Sequence, residues 1–227
     1  MSLSIIVPCL NEGDGIEATL AALSPLRRRG TEVIVVDGGS TDATVHRARE
    51  ADRIFTAPRG RSVQMNAGAA RASGGILLFL HADCRLPLEA DRLVIESLQR
   101  TRRGWGRFDV HIESRSPLLR LVAALMNLRS RMTGIATGDQ ALFVTRPLFE
   151  AVGGFPAIGL MEDIALSRRL KRYGRPLCLK HKVAVSARRW ERHGILATIV
   201  LMWRLRFAYW LGADPDELAM RYAPHKP

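Results

Sequence analysis

The chain has 227 residues, 47% hydrophobic and 25% charged, with a formal net charge of +12. That length and apolar content suit one α/β domain with a sizeable core and exclude a globally disordered chain. The positive excess is mostly arginine, which suits phosphates, nucleic acid or an anionic membrane surface without choosing among them.

In chain order, "LSIIVP" (3 to 8) reads as a first strand, since Pro8 stops the apolar run before signal-peptide length and no basic leader precedes it. Strands follow at "TEVIVVDGG" (31 to 39), "DRIFTA" (52 to 57) and "GGILLFLHAD" (74 to 83). Between them "GIEATLAALSPLRRRG", "TDATVHRAREA" and "SVQMNAGAARASG" carry apolar or small residues at helical spacing. Continuous hydrophobic strands alternating with helices imply a mostly parallel sheet covered on both faces. Asn11 and Glu12 follow the first strand, Asp37 closes the second, and His81 and Asp83 close the fourth. All fall at carboxyl ends, where open α/β sheets bind ligands.

The second half predicts a helix over 87–100, an alternating strand over 106–114, a helix over 116–132 and a strand over 138–146. A short helix and turn "LFEAVGGF" comes next, then a helix over 161–174 that opens with Glu162 and Asp163. Acids in a first turn complement the helix dipole, so ordinary capping alone would account for that pair. The segment 194–212 is apolar and aromatic but carries Arg204 and Arg206, leaving an uncharged stretch of about nine residues. About 20 are needed to span a bilayer. Core packing is the expectation, with an oligomer contact or an interfacial helix on anionic lipid as the alternatives. Cys9, Cys84 and Cys178 lie far apart with no C-x-x-C pairing, which speaks against a disulfide framework or structural zinc and for a reducing cytoplasm.

Gly13-Asp14-Gly15-Ile16-Glu17-Ala18 fits the loose dinucleotide pattern G-x-G-x-x-G/A. A dinucleotide fold places its first glycine directly after the first strand, however, and here Pro8 to Glu12 intervene. Asp83, after an apolar strand, is placed to hold a hard divalent cation against a substrate diphosphate, or to form an Asx turn. His81 offers a metal or phosphate ligand, or a structural hydrogen bond. Arg59 and Arg61 in "APRGRS" are candidates for bidentate phosphate contacts, with solvated loop arginines as the plain alternative.

"SIIVPCLNE", "VIVVDGGSTD", "QMNAGAARASG", "LLFLHAD", "GDQALFVTR" and "MEDIALSRRLKRYG", in that order, resemble the family 2 glycosyltransferases of the GT-A fold over roughly residues 3 to 190. The resemblance implies one GT-A domain: a nucleotide-sugar half to about 105, an acceptor half to about 190, and a carboxy-terminal helical tail. It implies donor binding by Pro8, Asn11, Glu12 and Asp37, with Asn66 and His81 in the matching motifs, and Mg²⁺ or Mn²⁺ on Asp83. Asp37 could accept a uracil imide N–H or a ribose hydroxyl. His81 stands where the family's first D-x-D acid would be, which puts the metal choice in question. The family's "ED" pair maps onto Glu162 and Asp163, with Asp163 the preferred general base. Gly138 and Asp139 of "GDQALFVTR" fall on the acceptor side.

"SARRWERHG" resembles the (Q/R)-x-x-R-W segment of processive members, with Arg189 and Trp190 in place but Ser186 at the leading position. Trp190 is a candidate sugar-stacking ring or an ordinary buried tryptophan. The same segment, with the "LG-x-x-P-x-x-L" tail, is similar to short bacterial transferases labelled for arsenosugar biosynthesis.

The expected activity is inverting, metal-assisted transfer from a nucleotide-diphospho-sugar to an acceptor hydroxyl of unknown identity, in the cytoplasm or at the inner membrane face. The alternative is a non-catalytic nucleotide-sugar binder with a degenerate D-x-D site. Nucleic acid is not expected as a partner, because aromatics for base stacking are few.

Overall fold

A computed structural model describes residues 1 to 222, the side chain of Arg189 excepted. Eight strands form one sheet in the order β3-β2-β1-β4-β7-β6-β8-β5. The amino-terminal part is parallel: β1 (Leu3–Cys9) lies between β2 (Glu32–Asp37) and β4 (Ile76–Phe79), and β3 (Arg53–Thr56) flanks β2. Chain order reverses direction across β1, the switch point at which such sheets open a ligand crevice. Pro8 sharpens that opening, because it has no N–H to give a neighbour. The β1–β4 ladder stops at Ile6 and Phe79, whereas the β1–β2 ladder continues to Cys9 and Asp37.

The other strands are β5 (Cys84–Arg85), β6 (Trp105–Glu113), β7 (Phe143–Thr145) and β8 (Leu177–Ser186). β7 is antiparallel to both β4 and β6, and β8 runs parallel to β6 with an irregularity between Phe108 and Asp109. Alternation along β1 sends Leu3, Ile5, Val7 and Cys9 to one core layer and Ile6 to the other. The first layer is covered by α1 (Ile16–Arg27), α4 (Ala90–Thr101) and α5 (Pro117–Thr133). The second is covered by α3 (Arg61–Arg71), α6 (Arg146–Ala151) and α7 (Glu162–Leu170). A third, smaller cluster joins the start of α7 to α9 (Ile195–Trp210) and α10 (Pro215–Tyr222), after the short α8 (Arg188–His193).

Several expected elements take a different form. The helix expected at 41–51 is a single turn, α2 (Thr44–Arg47). The strand expected over 138–146 begins instead as a 3-10 turn, Gly138–Gln140, closed by a left-handed Ala141, and only Phe143–Thr145 pairs. β8 was not expected, because Lys180, His181 and Lys182 interrupt its apolar pattern where it is exposed. α9 departs from core packing: only Thr198 and Leu205 are buried, while Leu196, Val200, Trp203, Phe207 and Trp210 are exposed. No helix among the described residues is long and apolar enough to cross a membrane.

Gly68 sets how closely α3 lies on the sheet. A Cβ there would come within 2.4 Å of Ile6 Cγ2 and 3.0 Å of Val36 Cγ2. Gly68→Val is therefore expected to lower stability by about 2 kcal/mol through overpacking, read as a fall in the urea midpoint. An unchanged midpoint would contradict this close approach.

Candidate active site at the carboxyl edge of the sheet

The loops after β1 and β2 are tied together by their own polar groups. Asn11, left-handed at φ 54°, donates its backbone N–H to the Ser40 hydroxyl (2.8 Å) and accepts from Thr41 N through Oδ1 (2.9 Å). Asp42 accepts from Gly13 N (2.9 Å) and Thr44 N (3.0 Å), and Glu12 N donates to Thr44 Oγ1 (2.8 Å). Gln64 bridges the two strand ends, donating to the carbonyls of Cys9 and Val36, each at 2.8 Å. Asp42, Thr44 and Gln64 were not singled out in the sequence; the only available signal was the "GGSTD" turn chemistry.

Asp37 closes β2 at the carboxyl edge of the sheet. It is 2% exposed, and its carboxylate already accepts from Gly39 N, Ser40 N and the Ser40 hydroxyl. These bonds fold the loop that follows β2. Asn66 is likewise spent on structure, pairing both ends of its amide with the backbone of Phe155 at 2.8 and 3.0 Å. Pro8 is buried within β1. Arg59 is exposed on its loop, open to a ligand.

The acids separate by burial. Glu162 is 3% exposed and pairs with Arg61 at 3.3 Å, joining the first turn of α7 to that of α3. Burial raises the Glu162 carboxyl above its usual range, with Arg61 pulling the other way and Asp163 adding to the rise. Burial opposes the charge on Arg61, yet Glu162 holds it above its usual range. The pair ties the first turn of α7 to that of α3 beside the expected phosphate ligand Arg61 and the expected catalytic acid Glu162. Asp163 is half-buried, and its carboxylate accepts from Gly138 N (2.8 Å) and Ile164 N (2.7 Å). Each oxygen keeps acceptor capacity for a substrate hydroxyl.

Gly138 also packs against His81, where a Cβ would lie 2.3 Å from the ring. His81 Nδ1 is 3.4 Å from Asp139 Oδ1. Among the described residues, His81, Cys84 and Asp139 bring one ligand atom each to within 4.8 Å of one another. Burial, helped by Asp83 and Asp139, pushes the Cys84 thiol well above its usual range, so it stays a protonated, weak ligand. Asp83 stands outside that trio, on the turn between His81 and Cys84, with the Cys84 thiol 3.6 Å from its Oδ1. Across the crevice, burial and then the charge of Asp83 raise the Glu12 carboxyl, against the pull of Arg188 and His81. Among the described residues the grouping that could hold a metal ion is thus His81 and Asp139 with the Cys84 thiol, and the expected ligand Asp83 lies beside it rather than in it.

Besides Asn11, two more left-handed residues without the licence of glycine border this edge: Ala141 at φ 44° and Met161 at φ 67°, directly before Glu162. Such backbone costs about 1–3 kcal/mol per residue and gathers at functional sites. No sequence signal marks either one. Trp190 is half-buried against the first core layer, in keeping with an ordinary packed tryptophan. Arg189 falls on α8, and its side chain lies outside the described residues.

The model of the family described as Glycosyl transferase family 2 matches residues 4–143, more than half of the chain. The chain belongs to glycosyltransferase family 2. It is similar to a poly-beta-1,6-N-acetyl-D-glucosamine synthase of Staphylococcus aureus, at 26% identity over 186 residues, covering 74% of this chain and 45% of that protein. The chain thus spans about 45% of the length of that relative. Among solved structures, S. aureus TarS 1-349 in complex with UDP superposes with a TM-score of 0.67 at 19% identity, over 82% of this chain and 60% of that one. Glucosyl-3-phosphoglycerate synthase of Mycobacterium tuberculosis, in complex with Mn²⁺, UDP and phosphoglyceric acid, gives 0.61 at 21% identity, over 81% and 69%. The fold is GT-A, with a curled mixed sheet between helical layers.

Removing the guanidinium of Arg61 would strand a buried carboxyl. Arg61→Met is expected to destabilise by about 2 kcal/mol at neutral pH, less than the ~3–5 of a fully buried pair because Arg61 is 35% exposed. A buried acid with a raised pKa favours the fold when protonated, so the variant's stability is present at low pH and falls as pH rises through that pKa. Adding Glu162→Gln should restore stability and flatten the pH dependence in thermal unfolding; equal stability of the single and double variants would refute the pairing.

Proposed function

We propose that the chain transfers a sugar from a nucleotide-diphospho-sugar to an acceptor hydroxyl, with inversion at the anomeric carbon. The observation that carries this reading is Asp163. Its carboxylate is held by two backbone amides, one of them Gly138 N, and Gly138 packs against His81, whose ring faces Asp139.

The donor's nucleoside lies over the loops after β1 and β2, within reach of Asn11 and Glu12, and Arg59 is free to meet phosphate oxygens. Asp83, His81 and Asp139 would hold a divalent cation, and the imidazole in that set favours Mn²⁺ over Mg²⁺. When bound, the cation neutralises charge on the departing diphosphate. The Asp163 carboxylate accepts the proton of the acceptor hydroxyl as its oxygen bonds to the anomeric carbon and the bond from that carbon to the diphosphate breaks. The nucleoside diphosphate leaves with the electron pair. One base and no enzyme nucleophile suffice for inversion. UDP and Mn²⁺ in the solved relatives support the donor class, and family membership supports the reaction.

Calorimetric titration of UDP- and GDP-sugars is expected to give binding that Mn²⁺ strengthens, with Asp83→Ala weakening it about tenfold or more. Asp163→Asn should keep donor affinity and lose about 10²–10⁴ in kcat, with product NMR on the wild type giving the inverted anomer. Donor binding that ignores both the metal and Asp83, with no turnover, would place the chain among nucleotide-sugar binders instead. A retained anomer would overturn inversion.

A further inference from the structure

Elsewhere the fold pairs its buried and half-buried guanidinium groups. Fully buried Arg107 is bonded to Asp109, to Ser130 Oγ (3.1 Å) and to the Asn127 carbonyl (3.1 Å). Arg61 has Glu162, and Arg146 binds the carbonyls of Ala69, Ala72 and Gly74. Arg129 on α5 departs from this pattern: its Nε and Nη2 are buried with no hydrogen-bond partner among the described residues. Burial, then the like charge of Arg206, push its pKa down to about 10, while Asp163 pulls the other way. Arg206, half-buried on α9, also has no hydrogen bond or ion pair among the described residues.

Leaving a cation buried and unpaired is costly, so such a group is expected to meet an anion that arrives from outside. Arg129 is within electrostatic reach of both Arg206 and Asp163. Leu205, next to Arg206, packs with Met161 and Ile164, the residues that flank the Glu162–Asp163 pair. Arg129 is therefore near both Arg206 and the proposed base, and the helix that carries Arg206 packs against the start of α7.

We propose that Arg129 and Arg206 bind a phosphate group carried by the acceptor and so deliver its hydroxyl to Asp163. Two bidentate cations match the charge and geometry of a phosphate dianion. This deepens the transferase reading and rests on it. Both helices that carry these arginines also expose apolar stripes: Leu121, Leu125, Leu128 and Met132 on α5, and Val200, Trp203, Phe207 and Trp210 on α9. The phosphate has two sources, a membrane lipid that such stripes would accompany or a soluble phosphomonoester.

The test measures inorganic phosphate binding to the full chain with UDP or GDP saturating the donor site, for wild type, Arg129→Gln, Arg206→Gln and the exposed control Arg204→Gln. Phosphate affinity should fall about tenfold or more in the first two variants and hold in the third, with nucleotide affinity at the wild-type value throughout. The Tm of Arg129→Gln should equal or exceed wild type, since an unpaired buried charge is gone; should that variant fail to fold, Arg206→Gln carries the test. Equal phosphate affinity in Arg206→Gln and wild type, or an equal fall in Arg204→Gln, would overturn the assignment. Sedimentation with phosphatidylcholine vesicles, with and without phosphatidic acid, separates the sources. Retention by phosphatidic acid that Arg129→Gln and Arg206→Gln abolish identifies a lipid phosphate, and free-phosphate binding without retention identifies a soluble one. Failure of the transferase reading would register separately, as wild-type protein that binds no nucleotide.

Discussion

The ion pair between Arg61 and Glu162 is the contact on which the site's geometry depends. It fastens the start of α7 to the start of α3 at a point where Glu162 is only 3% exposed. Asp163 follows directly and meets the amide of Gly138. Gly138 in turn leaves room for the His81 ring, and His81 faces Asp139. Segments far apart in the chain thus converge through one buried charge pair, one amide and one absent side chain. A buried pair of this kind adds little net stability over an apolar contact, but either member alone would be expensive, so it fixes one arrangement.

Stability is given up at several points around the same crevice. Glu12 faces the charge of Asp83, Ala141 and Met161 take left-handed backbone, and Arg129 carries buried nitrogens with no partner among the described residues. Each of these runs against folding. Ligand binding would relieve the electrostatic members of this set, as expected where function and stability compete.

The sequence made the amino-terminal half legible because β1, β2 and β4 are buried on both faces and read as continuous apolar runs. β8 escaped because three exposed polar residues break its pattern, and the 3-10 turn at Gly138 because nothing in "GDQA" announces a left-handed alanine. Motif position marked Glu162 and Asp163 as a pair; only the structure shows that the first is buried against Arg61 and the second half-exposed. The local hydrogen bonds of Asp37 and Asn66 had no signal in the motifs that marked them. Arg129 had no signal at all, being one arginine among many until its surroundings were known.

The central claim is that the crevice at the carboxyl edge of β1 and β4 holds the donor's diphosphate and a cation beneath Asp163. A crystal structure of the chain with a nucleotide-sugar and Mn²⁺, with the ion located by its anomalous scattering, tests it most directly. The account predicts an anomalous peak ligated by Asp83 together with His81 or Asp139, with the anomeric carbon facing Asp163. A diphosphate seated elsewhere on the sheet, or an ion remote from Asp83, would contradict it.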